Sequence, residues 1–136
     1  MYSTVLSGAL LGIRAKLVQV EVDATSGLPA MSMVGSLSGE VRESRERVLA
    51  ALKNAGIEVP PKHVTVNLSP ADLKKEGTAY DLPIAMAMLE ALAFFPPGST
   101  AGFLFLGELG LNGEIRPVRG VLPIVREAAA QRISSR

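Results

Sequence analysis

Cysteine is absent from the 136-residue chain, and histidine occurs once, at His63. These absences exclude a disulfide framework, a thiolate metal site, a cysteine nucleophile and any multi-histidine centre. Charge of one sign is also lacking: 14 Lys and Arg stand against 13 Asp and Glu, a formal net charge of +1. The field of the whole molecule therefore offers little attraction to nucleic acid or to an anionic membrane, and either partner needs a local patch. No long hydrophobic run is present. The most apolar stretch, Leu82–Leu89, stops at Glu90 and falls short of the roughly 20 residues of a bilayer span, so it reads as a buried core helix and no membrane partner is expected. Met1–Leu11 contains Tyr2, Ser3, Thr4 and Ser7 and lacks a basic leader; export is not expected, and the cytoplasm is the expected compartment. Despite 13 glycines, neither G-x-x-x-x-G-K-[ST] nor G-x-G-x-x-G occurs, so nucleotide binding has no motif here. Gly35–Gly39 has the glycine spacing of a nucleophile elbow, but Leu37 stands at its centre.

What is present suits one compact domain over residues 1–136, with 48% hydrophobic and 20% charged residues and enough length to bury about 68% of the unfolded surface. Ser3–Leu11 and Lys16–Val22 flank Gly12 and predict a hairpin. Val18, Val20 and Val22 fall on one face and Gln19 and Glu21 on the other, with Leu17 the exception. A third strand is expected in the Pro29–Gly35 stretch, with Met31, Met33 and Val34. Ser36 or Ser38 then caps a helix to about Asn54, closed by Gly56 and followed by Pro60 and Pro61. Its apolar stripe of Val41, Val48, Leu52 and Ala55 is broken at Ser44 and Arg45. His63–Leu68 alternates as a half-buried strand. A helix from about Ala79 to Leu92 follows; Thr78 and Asp81 have the spacing of a capping pair, although Pro83 suits a start at Asp81 or Leu82. Phe103–Leu106 predicts a short strand. Asn112–Gly113 predicts a type I′ hairpin turn between Leu109–Leu111 and Glu114–Val118, with positive φ at both residues. Leu122–Ile133 predicts a last helix with Ile124, Val125, Ala128 and Ala129 inward. Ending directly after a helix suggests a domain from a longer protein.

Candidate chemistry is sparse. Arg42, Arg45 and Arg47 form either a contact surface or, with interleaved Glu40, Glu43 and Glu46, a solvated self-paired face, in which Glu43 and Arg47 have the favourable helical spacing. His63 has no nucleophile in its local spacing and reads as a structural or surface residue. Glu108 and Glu114 are placed to face each other across the Asn112 hairpin, and a solvated pair is the favoured reading.

Several blocks in order resemble the amino-terminal domain of the ComM (YifB) family, the magnesium-chelatase-like AAA+ ATPases. They are S-G-A-L-L-G at Ser7–Gly12, V-R-E-S-R-E-R-V at Val41–Val48, Val64–Asp72, K-E-G-T-A-Y-D-L-P at Lys75–Pro83, and G-E-L-G-L-N-G-E-I-R-P-V-R-G-V-L-P at Gly107–Pro123. The resemblance spans nearly the whole chain. It implies an α+β fold of the Lon-protease-like, ribosomal-protein domain-two type, a mixed sheet with helices packed on it. It also implies an ATPase module outside this chain that binds ATP and Mg, with no cofactor or metal in the chain itself. The superfamily's peptidases use a Ser-Lys dyad. Aligning Lys75, Glu76 and Gly77 with the turn before that serine puts Ala79 at the serine, and the later block puts Leu122 at the lysine. Neither side chain can perform acyl transfer, so no catalysis by this chain is expected. A substitute dyad of Thr78 with Lys74 or Lys75 is opposed by Glu76, which favours a charged lysine. The implied role is that of an accessory and oligomerisation domain in a ring, a hexamer in the parent, of a protein associated with DNA branch migration in natural transformation and recombination. Candidate contacts to DNA, single-stranded or branched, or to a neighbouring subunit are Arg42, Arg45, Arg47, Lys74, Lys75, Arg116 and Arg119. Residual peptidase activity through Thr78 and a metal-chelatase partnership are the alternatives.

Overall fold

A computed structural model describes residues 1–134. Strands β1 (Tyr2–Leu11), β2 (Arg14–Thr25), β3 (Ala30–Val34) and β4 (His63–Ser69) form one sheet in the order β1-β2-β4-β3. The first two pairings are antiparallel, whereas β3 and β4 run parallel. The chain between them supplies the crossover, α1 (Gly39–Arg42) and α2 (Ser44–Asn54). Helix α3 (Asp81–Ala91) follows β4, a two-stranded ribbon pairs β5 (Glu108–Leu109) with β6 (Ile115–Arg116), and α4 (Val121–Ser134) ends the described chain. This is the mixed-sheet α+β architecture that the resemblance implies.

Alternation decides which face is covered by what. Val5 pairs with Val20 and Ser7 with Val18, and these residues point into the core formed with Val64, Val66, Leu68 and the α3 residues Ile84 and Met88. The other face of the hairpin carries Leu6, Gly8, Leu17 and Gln19, and it is covered by α4. A Cβ on Gly8 would lie 2.3 Å from Cγ2 of Ile124, so the close approach of this helix requires glycine there. Leu17 breaks the strand pattern because Val125 and Ala128 of α4 line the same groove.

The helix predicted from Ser38 to Asn54 is interrupted at Glu43. Its start is capped as expected, with the Val41 N–H donating to Ser38 Oγ at 3.3 Å. Its end is a Schellman closure: Gly56 at φ +83 donates to the Lys53 carbonyl and Ile57 donates to the Leu52 carbonyl. Helix α3 starts at Asp81, and Thr78 contributes only its backbone carbonyl, at 3.3 Å from the Asp81 nitrogen. The expected side-chain capping pair is replaced because the Asp81 carboxylate is engaged elsewhere.

Three local expectations are corrected. Phe103–Leu106 forms no strand of its own; Leu104 makes a single bridge to Leu6, joined by the Phe105 N–H to the Leu6 carbonyl. The Asn112 turn is not type I′: Gly113 donates to the Gly110 carbonyl, and of Asn112 and Gly113 only the glycine has positive φ, at +92. That is the pattern of a three-residue connection with a left-handed residue after the turn. Among the described side chains of α4 only Ile124 is fully buried, while Val125 and Ala129 are exposed, because the helix lies over just two strands.

Replacing Gly8 by valine is expected to lower stability by about 1–3 kcal/mol through overpacking against Ile124, read as a lower urea midpoint. An unchanged midpoint would mean that α4 does not sit on β1.

Candidate functional site

The segment Lys75–Pro83 builds two adjoining features. Lys75 is drawn inward by backbone pairing: its N–H donates to the Ser36 carbonyl, and the Ser38 N–H donates to the Lys75 carbonyl, each at 2.9 Å. The residue is 0% exposed, and its Nζ donates to the Pro70 carbonyl. Burial lowers the ammonium pKa, and Asp72 partly opposes that shift. Gly77 then turns the chain at φ +84, and Thr78, Ala79 and Tyr80 form one wall of a cleft of about 610 Å³. Gly8–Leu11 of β1 and Pro117–Arg119 line it as well, with Glu40, Lys74, Glu76 and Arg119 adding charge.

Beside the cleft lies the second feature, a buried carboxylate. Asp81 is 0% exposed and accepts hydrogen bonds from Ser44 Oγ, from Arg47 Nε at 2.7 Å and Nη2 at 3.0 Å, and from the Leu109 N–H at 3.0 Å. Arg47 Nη2 also donates to the Glu40 carbonyl at 2.7 Å and to Ser44 Oγ at 3.2 Å. The hydrogen bond to Asp81 raises the Arg47 pKa against the effect of burial, so the guanidinium stays charged. One carboxylate thereby joins α2, α3 and β5. Gly107 reinforces the junction, donating to the Ala79 carbonyl and accepting from the Leu82 N–H, both at 3.0 Å.

This geometry divides the expected site residues. Ala79 and Thr78 both line the cleft, whereas Leu122 is 62% exposed and lines a separate groove with Leu11 and Ile13. Among the described residues no hydrogen bond joins Thr78 to Lys75, whose amine is turned to Pro70. Arg47 is held by Asp81, so its ion pair is not the expected one with Glu43. Lys75 offers no exposed surface. Arg116 lies 3.7 Å from Glu108 across the ribbon, which separates Glu108 from Glu114; the Glu114 carbonyl accepts from Gly110 instead. Arg42, Arg45, Lys74 and Arg119 are exposed. His63 is half-buried in β4, opposite Thr25 and Ala30. Among the described residues, no group of three or more His, Cys, Asp or Glu is arranged to hold a metal ion, and no helix is long and apolar enough to cross a membrane. The Asp81 junction has no local motif. Its one trace in the sequence is the polar gap at Ser44, which falls three residues before Arg47.

Asp81→Ala is expected to cost about 3–5 kcal/mol, because it strands a partly buried guanidinium. Ser44→Ala is expected to cost about 1–3 kcal/mol. In urea unfolding the double variant should depart from additivity by about 0.5–3 kcal/mol; strict additivity would show that the serine and the carboxylate are not coupled.

Burial, with the charge of Glu76, pushes the Tyr80 hydroxyl up to about 12 from an ordinary value of 10.0. A raised folded-state pKa contributes stability that is fully present below pH 10 and is lost as pH rises through 12. The stability difference between the natural chain and Tyr80→Phe should shrink over that window. A flat difference would mean that the hydroxyl reaches water through the cleft.

The family model described as subunit ChlI of Mg-chelatase matches residues 20–135. The chain is 44% identical over 126 residues to the uncharacterized protein YifB of Escherichia coli, covering 93% of this chain and 25% of that protein. It is 43% identical over 124 residues to the competence protein ComM of Haemophilus influenzae, covering 91% and 24%. The DNA repair protein RadA of Campylobacter jejuni is 31% identical over 138 residues, covering 96% and 29%. The chain thus spans about a quarter of the length of the YifB and ComM relatives it matches. With the match to the family model covering most of its residues, the chain belongs to the ChlI-type Mg-chelatase family, among the ComM and YifB proteins.

Proposed function

We propose that this chain is a non-catalytic accessory domain of a ComM-like AAA+ ATPase that acts on DNA in branch migration during natural transformation and recombination. It contributes subunit contacts and positioning within a homo-oligomeric ring, while ATP and Mg bind in a separate ATPase module. The observation that carries the reading is the cleft wall. Ala79 stands where the resemblance puts a peptidase serine, and Leu122 lies outside that cleft. Acyl transfer needs an activated nucleophile with its base in reach, and the adjacent Lys75 amine is turned to a carbonyl. The names of the competence protein ComM and the DNA repair protein RadA support a role in DNA handling. Family membership supports a larger parent protein, since the relatives are about four times longer than the matched region.

The test is fluorescence anisotropy of labelled single-stranded and four-way-junction DNA titrated with this chain from low to physiological salt, paired with a fluorescent casein turnover assay. The expected result is salt-dependent DNA binding and no turnover. Absence of binding at low salt would remove DNA contact from this domain. Turnover abolished by Thr78→Ala would restore the peptidase reading.

A further inference from the structure

The turn between β1 and β2 is unusual in its composition. Leu11 pairs with Arg14, which leaves a two-residue connection of Gly12 and Ile13. Gly12 has φ +63 and Ile13 lies outside the positive-φ residues, the pattern of a type II′ turn with glycine first. Such turns favour small polar residues, yet here the tip is a β-branched apolar side chain that is 97% exposed. A groove of about 870 Å³ runs between this tip and α4, with Arg14, Lys16 and Arg126 in its walls and Leu11 and Leu122 among its apolar residues.

The three cations are exposed and make no ion pair among the described residues. The groove's one carboxylate, Glu127, accepts a hydrogen bond from Gln131 Nε2 at 3.0 Å. Several other cations are placed differently: Arg47 is paired with Asp81, Arg116 lies near Glu108 and Lys75 is enclosed. Lys74 and Arg119 share the Thr78 cleft with Glu40 and Glu76, and Arg42 and Arg45 are exposed in a run that alternates with Glu40, Glu43 and Glu46. Unpaired cations beside an exposed apolar tip suit a polyanion that also offers apolar faces. Single-stranded or branched DNA does so, because its bases are accessible for wedging or stacking next to its phosphates.

We infer that this groove is a nucleic-acid contact: Arg14, Lys16 and Arg126 meet phosphates, and Ile13 is an apolar wedge against exposed bases. The inference rests on the DNA-handling reading above and moves the contact away from the α1–α2 arginines.

The experiment titrates labelled single-stranded, four-way-junction and duplex DNA with the chain and with three exposed-site variants: Arg14→Glu/Lys16→Glu/Arg126→Glu, Ile13→Ser, and Arg42→Glu/Arg45→Glu. Circular dichroism and the urea midpoint confirm that each variant folds. With three phosphate contacts removed, the first variant should show a log-log salt slope shallower by about 2 on single strands. Ile13→Ser should keep the slope but bind single strands and junctions roughly tenfold more weakly, with duplex affinity unchanged, as for loss of a base contact. The Arg42/Arg45 variant should match the natural chain. If the groove variant keeps its slope, or the Arg42/Arg45 variant loses it, the groove assignment fails while DNA handling stands. Unaltered discrimination by Ile13→Ser refutes the wedge. Failure of the natural chain to bind any DNA at low salt overturns both the groove and the DNA reading. Displacement of DNA by poly-glutamate at equal charge concentration overturns the inference in favour of an acidic protein partner.

Discussion

A carboxylate taken wholly out of water constrains the rest of this structure. Asp81 begins α3, where the backbone N–H groups of a first turn favour negative charge, but a helix terminus alone does not compensate a buried anion. The balance comes from α2, through Ser44 and Arg47, and from the Leu109 N–H at the start of the ribbon. Three segments distant in sequence must therefore arrive together. The requirement also sets the polarity of α2, whose inward stripe carries a serine where an apolar residue would leave the Asp81 oxygen short of a donor.

The apolar body of α3 follows from the same arrangement. Once its polar start is satisfied, the rest of the helix lies between the valine face of the sheet and α2, with Ile84, Ala87 and Met88 fully enclosed. Its last polar group, Glu90, is held by the Thr100 hydroxyl and the Gly98 N–H, which ties down the loop that follows. Helix α4 obeys a different rule. It lies on the opposite face of the hairpin, against the bare backbone of Gly8, and among its described side chains Ile124 alone is fully enclosed. At the end of the hairpin the Ile13 side chain projects into solvent, beside the groove that the tip shares with α4.

Features governed by short-range rules were legible in the sequence. Glycine at the first turn, serine before α1, glycine after α2 and alternation in β2 and β4 each act over a few residues, and each element appears where its signal stands. Long-range demands were not legible. Asp81 resembles a capping partner of Thr78 until its contacts across 28 to 37 residues are seen. Arg47 and Lys75 resemble surface cations for the same reason, since burial by distant segments leaves no local mark. The close of α3 was hidden differently. It repeats the Schellman geometry of α2, with Phe94 donating to the Leu89 carbonyl, but its left-handed residue is Ala93 at φ 66. Alanine carries no sequence signal for that conformation.

The same distinction bears on charge. A formal +1 describes the sum, whereas a charged partner within a Debye length of about 8–10 Å responds to the nearest unpaired groups. Folding removes Arg47 and Lys75 from that surface and couples Arg116 to Glu108, while Arg14, Lys16 and Arg126 are left around one groove. The chain is nearly neutral overall and yet locally cationic. The Asp81 junction and the Lys75 pocket each draw one cation inward, so interactions that hold the domain together also take part in deciding which charges face a partner.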